Sequence, residues 1–241
     1  MKKIGILTSS RADYGIYKSL LSLLSKDPKI ELKLIVFGSH LFIKNNPNSL
    51  DEILKDNYAE VLKIEGIMRT NSPREIVNSY GKCMINFSKF WSENSFDMVI
   101  AMGDRFEMSA AIQASIPFEI KIAHIHGGET TLGSIDNIYR HQISLASKIH
   151  FVSTENYKER LIGILGYKSK IYNFGSLSIS DIDIKKVKPW SKVCSEFKII
   201  NNPFILVTFH PETVNYENNV MTRPIWTLLY KLPMYKNSYR D

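Results

Sequence analysis

Between Asp97 and Gly128 the chain reads DMVIAMGDRFEMSAAIQASIPFEIKIAHIHGG. Two apolar runs, Asp97–Ala101 and Ile120–Ile125, predict strands, and the spacing of Phe106–Ser115 between them predicts a helix. Each run ends in a polar break, at Gly103-Asp104-Arg105 and at His124-Ile125-His126-Gly127-Gly128. A strand, a helix and a second strand of this length make a βαβ unit, whose strands pair in parallel.

The unit repeats in both directions. Toward the N-terminus, Ile4–Thr8 reads as a strand and Ser9–Gly15 as a loop. A helix follows through Ile16, Leu20, Leu23 and Leu24, and Ile30–Phe37 is a second strand. Asn45-Asn46-Pro47-Asn48 reads as a loop and Val61–Ile64 as a short strand. Pro73 suits a first helical turn. Behind it Ile76, Val77, Tyr80, Met84, Phe87, Phe90 and Trp91 keep helical spacing and read as a core stripe rather than an aromatic binding surface. Toward the C-terminus come a helix at Asp136–Ala146, a strand at Ile149–Val152, a helix at Glu155–Leu165 and a strand at Lys170–Phe174. The expected fold is therefore α/β, a Rossmann-like parallel sheet with helices on both faces, which binds ligands at the carboxyl ends of its strands.

The pattern holds over residues 1–180, the expected N-terminal domain. It breaks over 181–203, where Pro189, Pro203 and polar residues suggest a connector. Phe204–Phe209 (FILVTF) reads as the first strand of a second domain, left incomplete by the residues to 241.

Composition narrows the function. With 241 residues, 44% hydrophobic and 23% charged, the chain is an ordinary globular one. Its net charge of +7 suits an anionic partner, but the basic residues are scattered, which argues against nucleic acid. Cys83 and Cys194 form no CxxC or zinc spacing and fit a reducing cytoplasm. The first apolar run stops at Thr8, too short for a signal peptide, and no run approaches a membrane span. A cytoplasmic chain with no membrane partner is expected. Neither GxGxxG nor GxxxxGK[ST] is present, so nicotinamide and P-loop fingerprints are absent.

Four polar clusters follow predicted strands. At Ser9-Ser10-Arg11 a helix start with a guanidinium beside it suits a phosphate, or equally a simple cap with a surface arginine. Asp104 can bind a sugar hydroxyl, act as a base, or cap the helix after it. His124 and His126 would share a face of an extended strand, with Gly127-Gly128 allowing close approach of a ligand. Glu129, Asp136, Arg140 and His141 complete a group that is costly to bury unless paired or used. Asp136 can also be a plain helix cap and His141 a surface residue. The His-x-His pair raises a metal, for which no further ligand has suitable spacing. His210, after Phe204–Phe209, either points into a cleft or caps a strand end.

Taken together, SSRADYG (9–15), GDRFE (103–107), HIHGGET (124–130), GSIDNIYRH (133–141) and TFHPET (208–213) resemble the hydrolysing UDP-sugar 2-epimerases, the family of UDP-N-acetylglucosamine 2-epimerase. SSRADYGIY (9–17) and TLGSIDNIYRHQISLASKIHF (131–151) are most similar to the branch acting on UDP-N,N′-diacetylbacillosamine in legionaminic acid synthesis. The alternative branch converts UDP-GlcNAc to ManNAc for sialic acid synthesis.

The resemblance implies the N-terminal half of a GT-B-like two-domain fold, with a UDP-sugar substrate in the cleft and a UDP-binding second domain. It implies loss of the C2 proton and of UDP from C1 through a glycal-like intermediate, then addition of water to give the manno sugar. No metal or nicotinamide cofactor is implied, and full-length relatives are expected to be homo-oligomers. Asp104 and Asp136 match catalytic carboxylates, His210 a histidine near the leaving group, and Arg11 an arginine on the nucleotide side. Ser10, Arg105, His124, Arg140 and His141 complete the expected substrate contacts. Some members carry glutamate where this chain has His126, so the acid–base role is expected to fall to Glu129 with His126 assisting. The family's serine-rich loop and glutamate of the second domain have no match after Thr213, so a C-terminally truncated chain, with turnover impaired by the truncation, is expected. Two other readings stay open: an inactive remnant of the N-terminal domain, and a metal-dependent hydrolase built on His124 and His126.

Overall fold

The computed structural model describes residues 1–41, 47–66, 72–168, 170–180 and 187–199. Seven strands, β1 (Lys2–Thr8), β2 (Ile30–Val36), β3 (Glu60–Lys63), β4 (Met98–Met102), β5 (Ile122–Ile125), β6 (Ile149–Val152) and β7 (Ile171–Asn173), form one sheet in the order β3-β2-β1-β4-β5-β6-β7. Every pairing is parallel. Strand order reverses between β1 and β4, which opens a crevice at their carboxyl ends.

Successive residues of a strand point to opposite faces, and the core divides accordingly. Leu7 and Ile35 join one cluster with Phe37, Cys83, Phe87, Trp91, Met108 and Ile143. Their neighbours Ile6, Leu34 and Val36 join the other, with Tyr14, Tyr17, Leu21 and Ile53. The first is covered by helices α3 (Pro73–Glu93), α4 (Phe106–Ser115) and α5 (Asp136–Ala146), the second by α1 (Arg11–Leu24) and α2 (Pro47–Asp56). A smaller cluster of Val152, Leu161 and Ile171 sits under α6 (Glu155–Leu165).

Three local expectations change. The loop expected through Gly15 ends at Ser10, because Ser10 and Asp13 form a capping box that starts α1 at Arg11. Pro47 and Asn48, expected in a loop, open α2, where proline costs nothing at a helix start. On α3 the fully buried ridge is Ser79, Cys83, Phe87 and Trp91, anchored by Trp91 Nε1 donating to the Ala111 carbonyl at 3.0 Å, while Val77 is exposed.

Among the described residues the chain falls into two compact units, 1–131 with 136–180, and 132–135 with 187–199. The first holds the sheet. The second contains α7 (Trp190–Phe197), so the expected connector includes a helix, begun after Pro189 and closed by Lys198 at φ 54°. The strand expected at 204–209 and the start of a second domain lie outside the described residues, as does His210. No helix among the described residues is long and apolar enough to cross a membrane.

Candidate active site

Three polar clusters come together at the carboxyl edge of the sheet. The turn after β1 carries Ser10 and Arg11, the turn after β4 carries Asp104 and Arg105, and the turn after β5 carries His126 and Glu129. Asp136 and Arg140 enter from the first two turns of α5.

Arg140 is the hub. Its side chain is only 6% exposed. It forms an ion pair with Asp104 through Nη2, donates from Nη1 to the His126 carbonyl at 2.8 Å, and lies 3.5 Å from Glu129 Oε2. A planar guanidinium presents its donors as a fixed fork, so one arginine locks two turns and two carboxylates together. Glu129 Oε1 is held by His126 Nδ1 at 2.5 Å and by the Ser153 hydroxyl at 2.7 Å. Among the described residues His126 Nε2 has no partner. The backbone of His126 is left-handed, φ 64°, a conformation uncommon outside glycine but more accessible to histidine than to most residues.

The electrostatics separate the two carboxylates. Burial raises the proton affinity of Asp104; Arg140 opposes this, Asp136 adds to it, and the net shift is upward. Burial also raises Glu129, but the hydrogen bonds from His126 and Ser153 outweigh it and its pKa falls. Burial works against the charge on Arg105, yet Glu107, Asp13 and Asp136 leave it more firmly protonated. Arg105 Nε lies 2.5 Å from the buried Glu107, and the fields of Asp13 and Asp136 tie it to the turns on either side.

The expected residues thus divide. Asp104, His126, Glu129 and Arg140 form one contact network, and Asp136 acts on it through its field. Asp104 is not a cap: the N-cap of α4 is Arg105, without a side-chain cap bond. Ser10 is the N-cap of α1 and buried, and Arg11 beside it is 66% exposed, 3.6 Å from Glu52. His141 lies beside Arg140 on α5, its pKa lowered by burial and then by Arg160 and Arg140.

Two readings of HIHGGET are corrected. His124 and His126 do not share a strand face, because β5 ends at Ile125 and the chain turns at His126. His124 is fully buried, with Nδ1 2.9 Å from the Ser144 hydroxyl and Nε2 2.9 Å from the Gly103 carbonyl. Both ring nitrogens are engaged within the protein. Both glycines are packed tightly against protein on the side where a Cβ would stand. A Cβ on Gly127 would lie 3.1 Å from both His124 Nδ1 and Ser144 Oγ, and one on Gly128 (φ +79°) 2.3 Å from the Tyr157 carbonyl.

Sequence reasoning missed one group. Asp13, Thr8, His40 and Ser49 form a buried hydrogen-bonded chain behind the β1–α1 turn. The only local signal was the Ser10–Asp13 spacing of a capping box.

Residues 22–238 match the model of a family described as UDP-N-acetylglucosamine 2-epimerase. The chain belongs to this family. It is 35% identical over 240 residues to polysialic acid biosynthesis protein P7 of Escherichia coli, covering 99% of this chain and 60% of that one. It is 32% identical over 243 residues to the GDP/UDP-N,N′-diacetylbacillosamine 2-epimerase (hydrolyzing) of Campylobacter jejuni, covering 98% and 61%. Among solved structures, UDP-GlcNAc 2-epimerase from Neisseria meningitidis bound to UDP-GlcNAc superposes with a TM-score of 0.65 at 19% identity, over 83% of this chain and 54% of that one. The epimerase-family chain thus has the Rossmann-like sheet of these GT-B-like proteins and spans about 60% of the curated relatives' length.

Proposed function

We propose that this edge carries out the chemistry of a hydrolysing UDP-sugar 2-epimerase: loss of the C2 proton, release of UDP from C1, and addition of water. One observation carries the reading. Asp104 and Glu129 are bridged by a single buried arginine while the field of Asp136 acts on the same group. The C2 hydrogen of the sugar is not acidic, so C1–O cleavage must lead and must develop oxocarbenium character. The raised proton affinity of Asp104 means that Arg140 does not fully compensate its buried negative charge. Positive charge developing beside it is then favoured more in the transition state than in the ground state. Glu129 and His126, sharing a hydrogen bond of 2.5 Å, form the pair suited to take the C2 proton. Arg11 and Ser10, one strand over, and Arg105 supply positive charge and hydrogen bonds for the departing diphosphate.

For the sugar, the reading favoured is UDP-N,N′-diacetylbacillosamine, which would place the product in legionaminic acid synthesis. It is supported by the branch-like stretches 9–17 and 131–151 and by relatives whose names carry that substrate, from Campylobacter jejuni and from Legionella pneumophila at 32% identity. The relative from Neisseria meningitidis named UDP-N-acetylglucosamine 2-epimerase is 28% identical. The two-domain division at 181–203, with UDP held by the second domain and His210 beside the leaving group, belongs to the same proposal, as do homo-oligomerisation and a cytoplasmic site of action.

Incubation with each nucleotide sugar in D2O tests this. The expected result is slow UDP release with one deuterium at C2 of the freed sugar, faster from UDP-N,N′-diacetylbacillosamine than from UDP-GlcNAc. It should fall at least about 100-fold in Asp104→Asn. UDP release without deuterium at C2, or none from either sugar with the chain folded, would overturn it.

A further inference from the structure

Gly38-Ser39-His40, a segment the proposed chemistry does not use, closes on the β1–α1 turn from behind. The Ser9 carbonyl accepts from the Ser39 N–H at 2.8 Å and from the Ser39 hydroxyl at 3.0 Å. Gly38, at φ +63°, passes so close that a Cβ would sit 2.6 Å from that carbonyl. His40 Nε2 lies 2.9 Å from Thr8 Oγ1, and His40 Nδ1 2.6 Å from Ser49 Oγ on α2. Thr8, Ser9, His40 and Ser49 are all buried.

The donors fix the direction of this chain. Thr8 donates its single hydroxyl proton to Asp13 Oδ1, 2.5 Å away. Thr8 Oγ1 must then accept from His40, which puts a ring proton on Nε2, 3.8 Å from Asp13 Oδ1. His40 Nδ1 meets the Ser49 hydroxyl at 2.6 Å. Asp13 receives three further donors, the Ser9 N–H at 2.9 Å, the Ser9 hydroxyl at 3.1 Å and the Ser10 N–H at 3.1 Å. From His40 through Thr8 the dipoles run toward Asp13, and bonds aligned in this way polarise one another. Asp13 in turn acts through its charge on Arg105 across the crevice.

We infer that His40 is a positioning residue: donating from Nε2 to Thr8, it locks the turn that presents Ser10 and Arg11, giving an anionic diphosphate a preset cradle. The identity of the ligand rests on the function proposed above. The lock does not.

The test uses the full chain. Long-range 1H–15N correlation on 15N-histidine-labelled protein at neutral pH is expected to show a proton on His40 Nε2. Glutamine places its amide nitrogen near histidine Nε2, whereas asparagine places its near Nδ1. His40→Gln should therefore keep the Ser9 and Ser10 amides protected from hydrogen exchange, and His40→Asn should speed their exchange about tenfold, the cost of one lost hydrogen bond. Thr8→Val, which cuts the relay at nearly constant volume, should match His40→Asn and stands in for it if that variant does not fold. UDP titration should follow the same order, with affinity about tenfold weaker in His40→Asn and little changed in His40→Gln. An Nε2 without a proton, or protection that survives His40→Asn and Thr8→Val, overturns the inference. The expected Nε2 proton and exchange pattern in a chain that binds no UDP would support the lock and reject the ligand.

Discussion

Arg140, on the second turn of α5, is ion-paired with Asp104 at the tip of β4. Through that contact and the His126 carbonyl, one side chain sets the relative position of the β4–α4 and β5–α5 turns. Replacing it should therefore damage both chemistry and stability. Arg140→Met strands Asp104 beside the field of Asp136 and should cost about 3–5 kcal/mol in urea denaturation, the range for one partner lost from a buried pair. Arg140→Lys keeps the charge but not the fork and should recover less than half of that loss. If Arg140→Lys unfolds like wild type, the fork geometry is immaterial.

Buried histidines should make the chain acid-sensitive. Burial pushes His124 down to about 3 and His150, its register partner on β6, down to about 4. Both are neutral in the folded chain but take up a proton near pH 6.5 once unfolded. The unfolded state therefore binds more protons as pH falls below 6.5. Stability is full above that value and is lost progressively toward pH 3–4. By pH 5 the loss should reach about 2 kcal/mol per histidine. Denaturation midpoints at pH 7.5 and pH 5 measure it, and His150→Leu should remove about half of the difference. Equal stability at the two pH values would contradict both buried rings.

Gly128→Ala and Gly103→Ala separate crowding from backbone strain. Both glycines have positive φ, but only Gly128 would drive a Cβ into the Tyr157 carbonyl; at Gly103 nothing lies within 4 Å. Gly103→Ala should cost about 1 kcal/mol and Gly128→Ala about 2–4 kcal/mol. The corresponding fall in Tm for Gly128→Ala is on the order of 5 °C or more. Equal losses would mean that α6 gives way freely.

Cys83 should be chemically silent in the native chain. It is fully buried against the Glu107 carbonyl, and burial followed by the Glu107 charge pushes its thiol well above the usual range. Since the thiolate is the reactive form, iodoacetamide should label Cys83 only after unfolding. Native labelling as fast as in urea would show that α3 opens from the sheet.

Helix and strand types were legible because the periodicities that produce them are local. Phe106–Ser115, Asp136–Ala146, Ile149–Val152 and Glu155–Leu165 lie where the pattern of apolar residues puts them. The misreadings fell where a polar residue had two uses. His124 looked like a ligand contact, yet the structure spends its ring on fastening β5 to α5 and to the β4–α4 turn, both nitrogens finding partners inside the protein. Asp13 looked like part of a loop, and His40 carried no local signal at all.

The order of residues along the chain by itself determined a parallel α/β sheet and the strand ends where chemistry gathers, because alternation and helical spacing depend only on near neighbours. Only the tertiary structure decided that β1 lies beside β4, that Arg140 pairs with both Asp104 and Glu129, and that His40 reaches Thr8. Those contacts join residues far apart in the chain, and burial in a shared low-dielectric space makes each polar group answer to whichever partner the fold brings within reach.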